Sequence, residues 1–81
     1  MNKLSKIIGK KIRKIRLEKG MTQVHLSKRL GYKSPSILSE IESGKKGFDA
    51  DKVPLVAEIL GVEVNALFFD EEILDSRINS A

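Results

Sequence analysis

Between Thr22 and Gly44 the chain reads TQVHLSKRLGYKSPSILSEIESG, and helix start and stop signals crowd that stretch more closely than most folds can accommodate. Thr22 is a good N-cap, and Met21 and Leu26 stand where a hydrophobic staple would close around it. Leu26 and Leu30 repeat at helical spacing, and Gly31 sits where a helix end needs a left-handed residue. Only four residues, Gly31 to Ser34, separate this helix from the next, and Tyr32 can turn inward from that connection. Ser34 is a second N-cap, and Pro35 follows at the first helical position, where its missing N–H costs nothing. Leu38 and Ile41 make the buried stripe of the second helix, and Gly44 stops it. Two short helices with a tight turn between them are the predicted centre of the fold.

The flanking segments also read as helices. Over residues 3–19, Leu4, Ile8, Ile12 and Ile15 hold one apolar stripe, while Lys3, Lys6, Lys10, Lys11, Arg13, Lys14 and Lys19 occupy the other faces. Gly20 supplies a stop and Met21 turns the chain into the next helix. After the loop KKGF, Asp49 looks like an N-cap with Phe48 and Val53 as its staple. A fourth helix is predicted over about 50–60, burying Val53, Val56, Ala57 and Leu60, with a slight kink or a tight first turn at Pro54. Gly61 caps it, and a short fifth helix is expected over about 64–68. Residues 1–69 therefore read as one all-α domain, followed by a short acidic tail over 70–81, where Ile73, Leu74 and Ile78 keep helical spacing before a frayed end.

Composition narrows what such a domain can do. With 81 residues and 5% aromatics, the core is small and aliphatic, and oligomerisation would support it. The chain has no cysteine, which excludes disulfides and thiolate zinc sites and fits a reducing, cytoplasmic setting. No apolar run approaches a membrane span. His25 is the single histidine and lacks any partner for metal or catalytic work, so it reads as a surface residue; no metal, cofactor or enzymatic activity is expected.

Charge is divided unevenly. Residues 1–33 hold 11 Lys or Arg against one acid, Glu18, a balance of +10; residues 34–81 hold 4 against 10, a balance of −6, and the whole chain is +4. A basic helix can be a plain solvated face or lie on a membrane, but beside a closely spaced helix pair it reads as a footprint for phosphate. The pair matches a helix-turn-helix unit, whose second helix enters the major groove of double-stranded DNA. Gln23, at a helix N-terminus, can join free backbone N–H groups at one phosphate. The predicted recognition helix presents Ser36, Ile37, Ser39, Glu40 and Ser43 and holds no Lys or Arg. A serine can meet any base, a carboxylate accepts from cytosine, and Ile37 suits a thymine methyl; Ser36 and Ser39 read equally well as plain surface residues. Lys33 before the helix, and Lys45 and Lys46 after it, are placed for flanking phosphates.

Three pieces together, IRKIRLEKGMTQVHLSKRLG (12–31), SILSEIESGKK (36–46) and VAEILGVEVNALF (56–68), resemble the Cro/repressor-type helix-turn-helix family of bacterial and phage transcription regulators, also called the xenobiotic-response-element family. The resemblance spans about residues 7–69. It implies a compact five-helix, lambda-repressor-like domain that binds a palindromic site as a two-fold homodimer. By position, it implies that Gln23 clamps phosphate, that Pro35, Ser36, Ile37, Ser39 and Glu40 fall where the family reads bases, and that Arg16 and Glu42 form a structural pair; Ser34, next to Pro35, is expected among the DNA-binding residues. It is similar in particular to small repressors, to controller proteins of restriction-modification systems and to some antitoxins. Two departures stand out: the turn Gly31–Ser34 is one residue longer than usual, which bears on docking register, and Pro35 replaces a frequent base-reading Gln, which moves readout toward Ser36, Ile37 and Glu40.

Val64, Leu67, Phe68 and Phe69 are more apolar residues than one short helix face can bury. A dimer seam and packing under the tail explain them equally well. Two functions follow: a DNA-binding regulator that covers or supports a promoter, and a module that holds a toxin or another regulator through its acidic half.

Overall fold

The two caps and the two glycines at the centre of the sequence set the geometry around which the computed structural model is built. Thr22 Oγ1 accepts the His25 N–H at 3.0 Å and Ser34 Oγ accepts the Ser36 N–H at 3.2 Å, each satisfying a helix-end donor that would otherwise be orphaned. Gly31 and Gly44 take φ of 82° and 86°, so each chain turn leaves its helix in the left-handed region. The structure describes residues 3–68. Phe69 and the tail, with Ile73, Leu74 and Ile78, lie outside the described residues.

The elements run α1 (Lys3–Glu18), α2 (Gln23–Leu30), α3 (Pro35–Ser43), a 3-10 turn (Ala50–Lys52), α4 (Val53–Leu60) and α5 (Asn65–Phe68). The fold is all-α, with five α-helices and no strand among the described residues. The tight first turn expected at Pro54 is the 3-10 turn: Asp49 Oδ1 accepts the Asp51 N–H at 3.1 Å, and Pro54 then occupies the opening turn of α4, where its N–H is not needed. No helix of the described residues is long and apolar enough to cross a membrane.

One core joins all five helices. Ile8, Ile12 and Ile15 of α1 meet Leu26 and Leu30 of α2, Leu38 and Ile41 of α3, Val53, Val56, Ala57 and Leu60 of α4, and Leu67 of α5, with Phe48 closing the loop side. Packing α1 against α3 requires Gly9: a Cβ there would fall on the Ile41 carbonyl, which is backbone and cannot swing away. A lone glycine inside an amphipathic helix is the sequence sign of such an approach.

Two expected placements are corrected. Leu4 keeps the spacing of the α1 stripe but is 47% exposed, bordering an open depression with Ile8, Phe48, Val53 and Phe68 rather than closing against them. Leu67, expected at a dimer seam, is 0% exposed: it is the residue by which short α5 plugs the core against α1. Val64 is exposed, Phe68 is half-buried against the core, and Phe69 lies outside the described residues.

Candidate nucleic-acid interface

Helix α3 is two-sided. Leu38 and Ile41 face the core, and Ser36, Ser39 and Glu40 face outward and are exposed. Ile37, placed outward from the sequence, is half-buried and packs against the core, so only part of its side chain is on offer. Pro35 is exposed at the leading end and Ser34 is half-buried. The Ser34 and Ser36 hydroxyls stand 2.8 Å apart and share a hydrogen bond, which leaves the Ser36 hydroxyl with hydrogen-bonding capacity for a further partner. Ser43 donates to the Glu40 carbonyl at 3.1 Å, whereas the Glu40 carboxylate has no partner among the described residues.

Lysines flank this face. Lys33 is exposed before α3. After α3, the backbone N–H groups of Lys45 and Lys46 return to the Glu40 carbonyl at 2.9 and 3.1 Å, leaving both side chains exposed. Two cations at the negative end of a helix are favourable for the helix dipole.

Under the face lies a buried ionic cluster. Arg16 forks into Glu42, Nε to Oε2 at 2.8 Å and Nη2 to Oε1 at 3.0 Å, and its Nη1 donates to the Met21 carbonyl at 2.7 Å. Both side chains are nearly sealed from water, at 8% and 2% exposure. Gln23 Nε2 donates to Glu42 Oε1 at 2.9 Å. Because a carboxylate only accepts, the Gln23 amide nitrogen must face Glu42, and its second N–H is left for a ligand at the start of α2. The structure thus brings Gln23, Arg16 and Glu42 into one chain that ties α1, the approach to α2, and α3. The Gln23–Glu42 link spans 19 residues and no local pattern announces it.

An open groove runs between α1, α2 and α3, lined by Lys10, Arg13, Gln23, Ser39, Glu42 and Ser43. It continues the α3 face onto α1, and sequence alone does not distinguish these two α1 cations from the other lysines and arginines of that helix.

The model of the helix-turn-helix family matches residues 12–67, which include α2, the turn and α3. Among solved structures, the clp gene regulator ClgR from Corynebacterium glutamicum superposes with a TM-score of 0.73 at 30% identity, over 82% of this chain and 69% of that one. The restriction-modification controller protein C.AhdI from Aeromonas hydrophila superposes with a TM-score of 0.68 at 28% identity, over 80% of this chain and 96% of that one. The DNA-binding domain of BldD from S. venezulae shares the fold at a TM-score of 0.67 and 20% identity, over 84% of this chain and 100% of that one. No curated protein sequence matches the chain. With the capped helix pair, the exposed α3 face and the family match over most of its length, the chain belongs to the XRE-type helix-turn-helix family and is a DNA-binding transcription regulator.

Proposed function

We propose that the protein is a repressor or controller protein that binds a palindromic operator in double-stranded DNA as a homodimer. The observation that carries this reading is the α3 face: Ser36, Ser39 and Glu40 are exposed, the opposite side is buried, and Lys33, Lys45 and Lys46 bracket it. Ser36, Glu40 and the free part of Ile37 read bases, and Gln23 with the three lysines holds phosphates. Val64 and Phe68 form the seam between copies, with Leu67 supporting it from inside each chain. A dimer seated on its operator blocks polymerase. The roles named for ClgR, a gene regulator, and C.AhdI, a controller protein, are in keeping with this.

Operators selected from random DNA, measured beside scrambled DNA across a salt series, test it. Lys46→Ala weakens binding to both about equally and lowers the salt slope by roughly one unit. Glu40→Ala relaxes preference at one base pair by about 1–3 kcal/mol. It also strengthens binding to scrambled DNA, since a carboxylate repels phosphate. Sedimentation of the complex gives two chains per operator, and Val64→Glu reduces that to one. An operator-to-scrambled ratio near one for the unmutated protein overturns the regulator reading, and one unmutated chain per operator overturns the dimer.

A further inference from the structure

The groove between α1, α2 and α3 is built to hold an anion, although an acidic side chain forms part of its wall. Glu42 lines it, but that charge is already met by the Arg16 fork, and Glu42 is the one acidic residue among those that line the groove. Lys10 and Arg13 are exposed, and among the described residues the salt bridge of Arg16 with Glu42 is the only one. The groove therefore carries the uncompensated charge of two cations. Its remaining polar groups donate. Gln23 has one amide N–H committed to Glu42 and one free. Ser43 spends its hydroxyl proton on the Glu40 carbonyl, so Ser39, which has no partner among the described residues, is the hydroxyl available to give.

We infer that this groove seats a DNA phosphodiester, with Lys10 and Arg13 as its main anchors and Gln23 and Ser39 as neutral donors. The inference rests on the DNA-binding reading above and extends it to α1. The other cations of α1 do not line this groove: Lys14 borders a neighbouring depression with Ile7, Lys11 and Lys10, and of these only Lys10 also reaches the groove. The buried pair beneath fixes the seat, because Arg16 and Glu42 hold α1, the start of α2 and α3 in one register. An Arg can meet two oxygens of one phosphate through its planar fork, whereas Lys acts as a point charge. Ser39 then serves the backbone, and base reading stays with Ser36, Glu40 and the free part of Ile37.

The experiment compares Lys10→Ala, Arg13→Ala and Lys14→Ala in the full chain, all exposed positions on one helix, on the selected operator and on scrambled DNA. Lys10→Ala and Arg13→Ala each lower the salt slope by about one unit on both DNAs, which is about fourfold less loss of affinity between 50 and 200 mM salt. Lys14→Ala moves it by clearly less. A scan with single methylphosphonate linkages, each removing one phosphate charge, finds a position per half-site that weakens the unmutated protein but leaves Arg13→Ala unaffected. If Lys10→Ala and Arg13→Ala match Lys14→Ala, and no linkage shows that coupling, the seat does not exist while the regulator reading stands. If the unmutated protein binds neither DNA, both fall together.

Discussion

Helix α2 is held at its two ends by cations that reach over from other elements, and the two braces are made differently. At the leading end Arg16 of α1 donates to the Met21 carbonyl and sends its other nitrogens into Glu42 of α3. At the trailing end Lys52 donates to the Leu30 carbonyl at 2.9 Å, with its ammonium 4.9 Å from the centre of the Tyr32 ring. Arg16 is buried and all three of its nitrogens are used, whereas Lys52 is half-buried and meets no carboxylate among the described residues. A guanidinium fork fixes direction as well as distance, and an ammonium on a flexible stem fixes little more than a charge. The brace that positions Gln23 and α3 is thus the rigid one, and the brace at the turn is compliant. That fits the proposed function, in which the leading end of α2 meets a phosphate at a set place, while the longer turn behind it only has to be closed.

The largest expected effect comes from cutting the rigid brace. Glu42→Ala leaves the Arg16 guanidinium buried without a counter-charge and removes the acceptor that orients Gln23. The stability loss in urea melts is about 3–5 kcal/mol. Converting both partners to apolar residues, Arg16→Met with Glu42→Leu, costs much less than the single change, because no charge is then stranded. A loss below about 1 kcal/mol for Glu42→Ala would mean the pair behaves like an exposed one, and the contrast between the two ends would collapse.

Next comes the backbone contact on the same side. Alanine is the better helix former by about 1 kcal/mol, so on an exposed helix Gly9→Ala would stabilise. Here the added methyl meets the Ile41 carbonyl and forces α1 away from α3. The expected net loss is about 3 kcal/mol, at the upper end of ordinary overpacking. Operator affinity falls with it, since Arg16 no longer reaches Glu42 in register. A stabilised Gly9→Ala protein would show the α1–α3 seam to be loose, and rigidity could not then be what separates the two braces.

How far the sequence exposed these features follows their range along the chain. The caps Thr22 and Ser34, the stops Gly31 and Gly44 and the inward stripes of α2 to α4 are local, and the residues alone place them. Glu42 could be paired with Arg16 only through the family resemblance, because 26 residues separate them. The Lys52–Leu30 contact spans 22 residues and gives no periodic sign at all. Leu4 and Leu67 mark the limit of periodicity from the other direction. Spacing says which side of a helix is apolar, not how far the neighbouring elements extend to cover it, so Leu4 is left open and Leu67 is sealed. The groove at Lys10 and Arg13 is hidden for the same reason, since α1 carries cations on several faces and only the position of α3 distinguishes two of them.

The smallest effect belongs to the compliant brace, and it separates the two ends most cleanly. Lys52→Met keeps an unbranched apolar stem and removes only the ammonium. What is lost is one hydrogen bond to the last carbonyl of α2, the attraction to that helix's negative end, and the contact with the ring face. For a half-exposed cation these come together to about 1 kcal/mol at low salt. Tyr32 does not add an ion pair: burial, and then the charge of Asp49, push its hydroxyl above the ordinary value of 10.0, so it stays neutral at physiological pH. Salt is the discriminating variable. The Lys52 contribution shrinks as ionic strength screens a partly exposed charge, while the cost of Glu42→Ala, set by a desolvated group, holds nearly constant. Urea melts of Lys52→Met and Glu42→Ala at low and at molar salt check this. A Lys52→Met cost that exceeds about 2 kcal/mol and survives molar salt would place both ends of α2 under equally rigid control, and the longer turn would then be as fixed a part of the DNA-docking geometry as the Arg16–Glu42 pair.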